Sequence, residues 1–331
     1  MTRAAEKRVS TFPWGTDEPI RIGVSSCLLG NLVRYDGGHK RNQFLTETLS
    51  PFVRWVPVCP EVELGLGVPR ETVRLEEGAN GMRLVAPRSG TDHTAAMRRY
   101  AHARVADLAR EDLCGYVLKK NSPSCGMERV KVYGSAGPPK PRGRGLFAEV
   151  LLEALPHLPV EEEGRLNDPR LRENFIERVF AYRRLRTLFK HRWALADLIA
   201  FHTAHKLQLL AHSPSRYQTL GRLVAGAKSL PRPVLRSRYA AAFMLALASP
   251  ATTARHVNVL HHIVGHLRSR LDDASRLELL EVIRGYRAGH VPLVVPLTLI
   301  RHHVRHLGIA YLQGQIYLDP HPRELMLRNH V

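Results

Sequence analysis

Apolar and polar positions follow two different rhythms along this chain. Up to about residue 160, short apolar runs alternate with turns and with amphipathic helical stretches. Ile22-Gly23-Val24, Val53 to Val58, Met82 to Val85 and Tyr116-Val117-Leu118 are β-like runs bounded by Gly, Pro, Asn and Ser. Helical periodicity appears over 42–49, over 146–155, and over a longer stretch to Arg110 with Ala95, Met97, Ala101, Val105 and Leu108 as its apolar positions. Thr91 is the expected N-cap of that long helix. From Asn167 onward apolar residues recur at helical spacing with little strand-like alternation. Asp168-Pro169 opens a helix carrying Phe175, Ile176, Val179, Phe180 and Leu185, with arginines between them. Further helices are expected over 192–211, 214–228, 234–247, 250–270, 273–288 and 293–310.

Alternating strands and helices predict an α/β domain with a Rossmann-like parallel sheet over 21–160, after a polar lead-in at 1–20. Glu161-Glu162-Glu163-Gly164 reads as the core of a linker, 161–166, and 167–331 as an all-α domain. No window approaches 18 consecutive apolar residues, so no membrane span is expected. Met1 to Pro13 carries charge but no apolar core segment, which predicts a cytoplasmic protein without a secretory signal. No obligatory protein partner is evident.

Charge changes the picture most. Residues 1–163 hold 23 Lys and Arg against 20 Asp and Glu, whereas residues 164–331 hold 26 against 10. No acid occurs between Asp197 and Asp272, a stretch with ten Lys or Arg and seven His. Nearly all of the net charge of +19 therefore belongs to the helical domain, and a polyanion is its expected partner. Two further groups join the candidate phosphate contacts: Lys140, Arg142 and Arg144 in a Gly- and Pro-rich loop over 135–145, and Lys119 and Lys120 at a strand end. His202 and His205, His261 to His266 and His302 to His306 include helical i,i+3 and i,i+4 spacings, but caps, core polar contacts or RNA contacts are the stronger expectation than metal binding.

Four cysteines in a reducing compartment are free thiols or metal ligands rather than disulfides. No CxxC pair exists, which argues against zinc ribbons, thioredoxin-like sites and tight ferredoxin-type clusters. Cys27, Cys59 and Cys125 each follow an apolar run, and loops at the carboxyl ends of parallel strands line a common crevice. The spacing leaves two readings open: converging ligands, or buried thiols acting as small hydrophobes. Cys114 precedes its strand and is expected to be structural. The GxGxxG and P-loop spacings are both missing.

Ser25-Ser26-Cys27-Leu28-Leu29-Gly30 with Val33-Arg34-Tyr35-Asp36-Gly37, Cys59-Pro60-Glu61-Val62 with Gly65 and Pro69-Arg70, and Leu118 through Lys119-Lys120-Asn121-Ser122-Pro123-Ser124-Cys125-Gly126 resemble the thiouracil desulfurase family over residues 20–157. The remainder, including the arginine-rich helix 170–186 and Phe201 to Lys206, resembles the helical domain fused to that family in bacterial tRNA 4-thiouridine desulfidases. The resemblance implies a [4Fe-4S] cluster on Cys27, Cys59 and Cys125 with one iron open, and catalytic roles for Glu61 and Ser122. It implies hydrolytic, non-redox release of sulfide from 4-thiouridine in tRNA. Arg34, Tyr35, Lys119, Lys120, Lys140, Arg142, Arg144, Arg183, Arg184 and Lys206 are then the candidate contacts to tRNA or to the target base. Two rivals stand beside this expectation: the same chemistry on free thiouracil or thiouridine, and a nucleic-acid-binding accessory protein with a structural metal.

Overall fold

A computed structural model describes residues 19–79, 81–135, 137–190 and 192–331, so the lead-in lies outside the described residues up to position 18. The chain divides into two units, 19–168 and 169–331. Among the described residues the first unit holds eight strands: β1 (Ile20–Ser25), β2 (Val53–Val58), β3 (Arg74–Gly78), β4 (Gly81–Val85), β5 (Gly115–Leu118), β6 (Val130–Tyr133), β7 (Lys140–Gly143) and β8 (Val160–Glu162). Its helices are α1 (Pro60–Glu63), α2 (Thr94–Arg110) and α3 (Leu146–Ala154), with a short π-helical turn at Phe44–Leu49.

The expected parallel sheet is present, in the order β2-β1-β5-β8. β1 pairs with β2 from Ile20↔Val53 to Ser25↔Val58 and with β5 from Ile22↔Gly115 to Val24↔Val117. Every residue of β1 except Arg21 is buried, as a parallel strand covered on both faces requires. Gly23 faces Tyr116 across the pair, and a β-carbon there would sit 2.2 Å from the Tyr116 ring. That missing side chain is what admits the aromatic between the strands.

β8 corrects the linker reading. Glu161, Glu162 and Glu163 are 6%, 6% and 8% exposed, and the strand they end pairs with β5 from Tyr116↔Val160 to Leu118↔Glu162. A charged run survives in that place because each carboxylate has partners. Glu163 accepts from the Lys120 amide at 2.7 Å and from the Lys119 ammonium, Glu162 from the Met127 amide at 2.7 Å, and Glu161 from Arg165 Nε at 2.6 Å. The boundary between units falls instead at 168/169.

A second sheet, β4-β3-β6-β7, mixes two antiparallel hairpins with one parallel contact between β3 and β6. Its strand β7 lies inside the segment read as a basic loop. Pairing of Lys140 with Val132 and of Gly143 with Val130, together with an Arg142–Glu77 ion pair, replaces the apolar alternation that would have announced it. Leu75, Leu84, Val130 and Val132 of this sheet pack with Met97 of α2 and Leu146 of α3. The N-cap reading at Thr91 also shifts: the Thr91 carbonyl accepts from Ala86 N at 2.9 Å, α2 begins at Thr94, and Asp92 accepts from the Thr94 amide at 2.9 Å. Ala95 is exposed, while Met97, Ala101, Val105 and Leu108 are buried as the periodicity requires.

The second unit is helical, as expected: α4 (Pro169–Lys190), α5 (Leu195–His212), α6 (Pro214–Ala225), α7 (Arg232–Leu247), α8 (Thr253–Leu267), α9 (Asp273–Arg287), α10 (Val294–His306) and α11 (Ala310–Gln313). α5 is shared by two cores. Its Leu198, Phe201 and Leu209 pack with α4 and α7, and its Leu207 and Ala211 with α8, α9 and α10. Between these lies a buried polar network. Arg328 bonds Glu173 and Glu177, each at 2.9 Å, and His212 Nε2 bonds Glu177 at 2.8 Å while its Nδ1 meets the Ser249 carbonyl at 2.7 Å. Both ring nitrogens face acceptors, so the charged imidazolium satisfies the site. Burial opposes that charge, but the Glu177 carboxylate overrides it and raises the His212 pKa.

The network should matter for stability in a sign-specific way. Glu177→Gln leaves two buried cations short of a partner, with an expected cost of about 3–5 kcal/mol in chemical denaturation of the full chain. His212, with a raised folded-state pKa, contributes stability that is fully present below about pH 6.5 and lost as pH rises through its folded value. The helical melting transition, followed by circular dichroism, should therefore weaken above that pH, and His212→Gln should flatten the decline.

Candidate active site

The carboxyl ends of β2, β1 and β5 lie side by side, and one thiol follows each. Cys27 sits in the tight turn Ser26–Leu29 after β1, closed by Gly30 in the left-handed region at φ 97°. Cys59 directly precedes α1, and Pro60 opens that helix. Cys125 lies in the loop after β5, where its amide donates to Ser122 Oγ at 3.0 Å and the Gly126 amide donates to the Ser122 carbonyl at 2.8 Å. Two glycines let this loop close. A β-carbon on Gly145 would meet the Ser124 carbonyl oxygen at 2.4 Å, and one on Gly126 would meet Val130 at 2.3 Å. Cys27, Cys59 and Cys125 line one cavity of about 400 Å³, together with Glu61 and Ser122.

Cys125 is buried, and Cys27 and Cys59 are half-buried. Burial pushes the Cys27 thiol up to about 11 and raises Cys59 and Cys125 as well. Each thiol also feels a neighbouring negative group: Cys59 acts on Cys27, and both act on Cys125. Lys119 and Arg34 act on Cys27 in the opposite sense, favouring thiolate. Three thiols kept protonated by burial are poor nucleophiles as they stand, and a thiophilic cation at the cavity would favour their thiolate form.

Glu61 is held from two sides. Arg70 Nε and Nη2 donate to its Oε2 at 2.9 and 2.6 Å, and Ser124 Oγ donates to its Oε1 at 2.9 Å. Arg70 is in turn fixed by the carbonyls of Val33 and Gly67, both at 3.0 Å. Three donors fit an ionised carboxylate. Ser122 Oγ accepts from the Cys125 and Ser124 amides at 3.0 and 3.3 Å, so its own hydrogen remains to donate. Arg70 and Ser124 stood inside the quoted motifs without a role. Their signal was position alone, since Arg70 lies nine residues beyond Glu61 and Ser124 beside Cys125.

The remaining predicted residues divide. Arg34, Tyr35, Lys119 and Lys120 line the cavity. Arg34 lies 5.3 Å from the Tyr35 ring centroid and 3.4 Å from Asp36, and the Lys119 ammonium is bound to Glu163. Lys140, Arg142 and Arg144 do not line it. Arg142 is paired with Glu77, and Arg144 donates to the Met127 carbonyl at 3.0 Å. Arg183 and Arg184, candidate contacts to tRNA or the target base, are buried, at 9% and 8% exposed. Arg184 bonds His205 at 3.2 Å and the Pro320 carbonyl at 3.0 Å, because the helix face that carries it turns into the core. Lys206 is half-buried. His205, stacked on Phe201 at 4.0 Å, is a core residue, and His202 bonds the Tyr239 hydroxyl at 3.2 Å. Cys114 is buried, donates to the Asp112 carbonyl at 3.7 Å and does not line the cavity.

Comparison with known proteins bears on both units. A family model described as 2-thiouracil desulfurase matches residues 22–163. The chain is 32% identical over 152 residues to uncharacterized protein YbbK of Bacillus subtilis (strain 168), spanning 44% of this chain and 98% of that one. The chain belongs to the 2-thiouracil desulfurase family. A second model, of a protein family of unknown function (DUF1722), matches residues 206–322. Uncharacterized protein YbgA of Escherichia coli (strain K12) is 33% identical over 165 residues, 50% of this chain and 98% of that one. A solved [4Fe-4S]-dependent thiouracil desulfidase, TudS, is 31% identical and covers 45% of this chain and 94% of its own, with a TM-score of 0.38. No helix among the described residues is long and apolar enough to cross a membrane.

The donor set at the cavity, three thiols that line it, is of the type that an iron–sulfur cluster takes. In a cluster each thiolate binds its own iron, so the sulfurs surround a larger body. Gly145 offers a direct test of how tightly the Cys125 loop is set. Gly145→Ala should cost about 1–3 kcal/mol, because the added methyl must displace backbone at Ser124. An unchanged urea midpoint would mean that the loop yields freely.

Proposed function

We propose that this chain is a cytoplasmic [4Fe-4S]-dependent desulfidase that removes sulfur from 4-thiouridine in tRNA, giving uridine and sulfide. The observation that carries the reading is the convergence of Cys27, Cys59, Cys125, Glu61 and Ser122 on one cavity, in a chain of the 2-thiouracil desulfurase family. The charge of the second unit supports the polynucleotide, because a free base needs no such basic surface.

Cys27, Cys59 and Cys125 would hold the cluster, which would supply a thiophilic Lewis acid for the thiocarbonyl sulfur. The chain's own residues handle the proton traffic. Arg70 and Ser124 hold the Glu61 carboxylate at the cavity wall, where it accepts a proton from the water that attacks the thiocarbonyl carbon. The same proton returns to the ring nitrogen or to the departing sulfide. Ser122, anchored by two backbone amides, donates its hydrogen to orient the water or the base. Water replaces sulfide at carbon with no net change in oxidation state, so no electron donor is needed. Arg34 and Tyr35 stand at the wall where an unstacked base would enter.

The discriminating experiment follows loss of the near-ultraviolet thiocarbonyl absorbance when anaerobically reconstituted protein meets 4-thiouridine-containing tRNA. Cys27→Ala, Cys59→Ala and Cys125→Ala should each lose iron and acid-labile sulfide and abolish turnover. Glu61→Gln should keep the iron and lose about two orders of magnitude or more in rate. Turnover of free thiouracil with no turnover of tRNA would leave the enzyme class standing and shift the substrate to the free base. One zinc per chain and no labile sulfide would instead favour an accessory nucleic-acid-binding protein.

A further inference from the structure

Several arginines of this protein sit on carboxylates. Arg70 sits on Glu61, Arg165 on Glu161, and Arg328 on Glu173 and Glu177, so their charges are cancelled where they stand. In a second hollow, of about 770 Å³ beside α10, Arg301 and Arg323 both bond Asp319, at 3.1 and 2.7 Å.

The surface formed by the end of α4, the turn after it and the first turns of α7 is different. Arg232 lies over the Trp193 ring, 4.8 Å from its centroid. One turn along α7, Arg236 lies over Phe189 at 5.6 Å. Both arginines are exposed, Trp193 is half-buried and Phe189 is buried. A ring face within about 6 Å fixes a guanidinium plane without neutralising it. The acid nearest in sequence, Asp197, accepts the Ala194 amide at 2.7 Å in capping α5, and none follows until Asp272. Arg192 and Arg238 add exposed charge in the same two segments.

We infer that this arginine-on-aromatic face of α4 and α7 is where the helical unit grips the phosphate backbone of RNA. Arg232 and Arg236 are i,i+4 on one helix, with β-carbons about 6 Å apart, so two ring-braced guanidiniums can address neighbouring phosphates of one strand. Trp193, the half-buried ring of the pair, gives an unpaired base a surface on which to stack. The inference rests on the RNA substrate proposed above and assigns the face that would bind it.

The test uses the full chain with cluster reconstituted, fluorescently labelled tRNA and anisotropy titrations over a range of KCl concentrations. Arg232→Ala/Arg236→Ala should weaken binding roughly tenfold at low salt and lower the slope of log affinity against log salt by roughly two. Arg232→Lys/Arg236→Lys should keep the slope and recover only part of the affinity, because charge survives and the stacked plane does not. The control is Arg284→Ala/Arg287→Ala, on exposed positions of α9. Thiouracil turnover should be unchanged in all three. Unaltered affinity and slope in the α7 variant would overturn this face while leaving RNA binding intact. An equal loss in the α9 control would overturn it too, since any pair of charges would then serve. A wild-type chain that turns over thiouracil yet does not bind tRNA would defeat the substrate reading, and this face with it.

Discussion

Parallel pairing on both edges of β1 is the constraint from which the site follows. A strand flanked by β2 on one side and β5 on the other, all running the same way, must end where its neighbours end. The residues after each strand are therefore delivered to one crevice however far apart they lie in sequence. Gly23 makes the pairing possible by giving its space to Tyr116, and β8 extends the sheet beyond β5. Glu162 of that last strand and Glu163, the residue after it, accept from the backbone amides of Met127 and Lys120 on either side of Cys125, so the sheet places the thiol loop and also braces it.

Electrostatics at the cavity is built on compensation. Glu61 would be poorly placed beside three sulfurs were it not held by Arg70, which is itself tied to two backbone carbonyls. Burial raises the thiols, and a cation at the cavity would oppose that shift. The helical unit uses the same compensation inside, with Arg328 and His212 gathered on two glutamates. On its α7 surface it abandons carboxylates for aromatic rings. Interior cations need neutralisation to be buried at all, whereas a cation at the surface can keep its charge.

The motifs around Cys27, Cys59 and Cys125 were legible because each cysteine stands just beyond the end of an apolar run bounded by turn residues. The two-texture hydrophobic pattern located three of the four strands of the parallel sheet and nearly every long helix, since burial on one face imposes a period of 3.6 and burial on both faces an unbroken apolar run. Less could be read where packing overrode composition. Glu161 to Glu163 looked like a solvated linker and are a buried strand end and its continuation; Lys140 to Gly143 looked like a loop and pair with β6.

Sequence by itself determined the fold class of each half, the asymmetry of charge, and the membership of Cys27, Cys59, Glu61, Ser122 and Cys125 in one family pattern. Only the tertiary structure decided which charges are available. Arg183 and Arg184 belong to the same arginine-rich helix as Arg186, yet both are buried, and Arg184 is spent on His205 and Pro320. Arg232 and Arg236, unmarked by any motif, remain exposed on aromatic rings. Helical periodicity tells which positions share a face, but whether that face meets a core, a carboxylate or solvent depends on neighbours brought in from elsewhere in the chain.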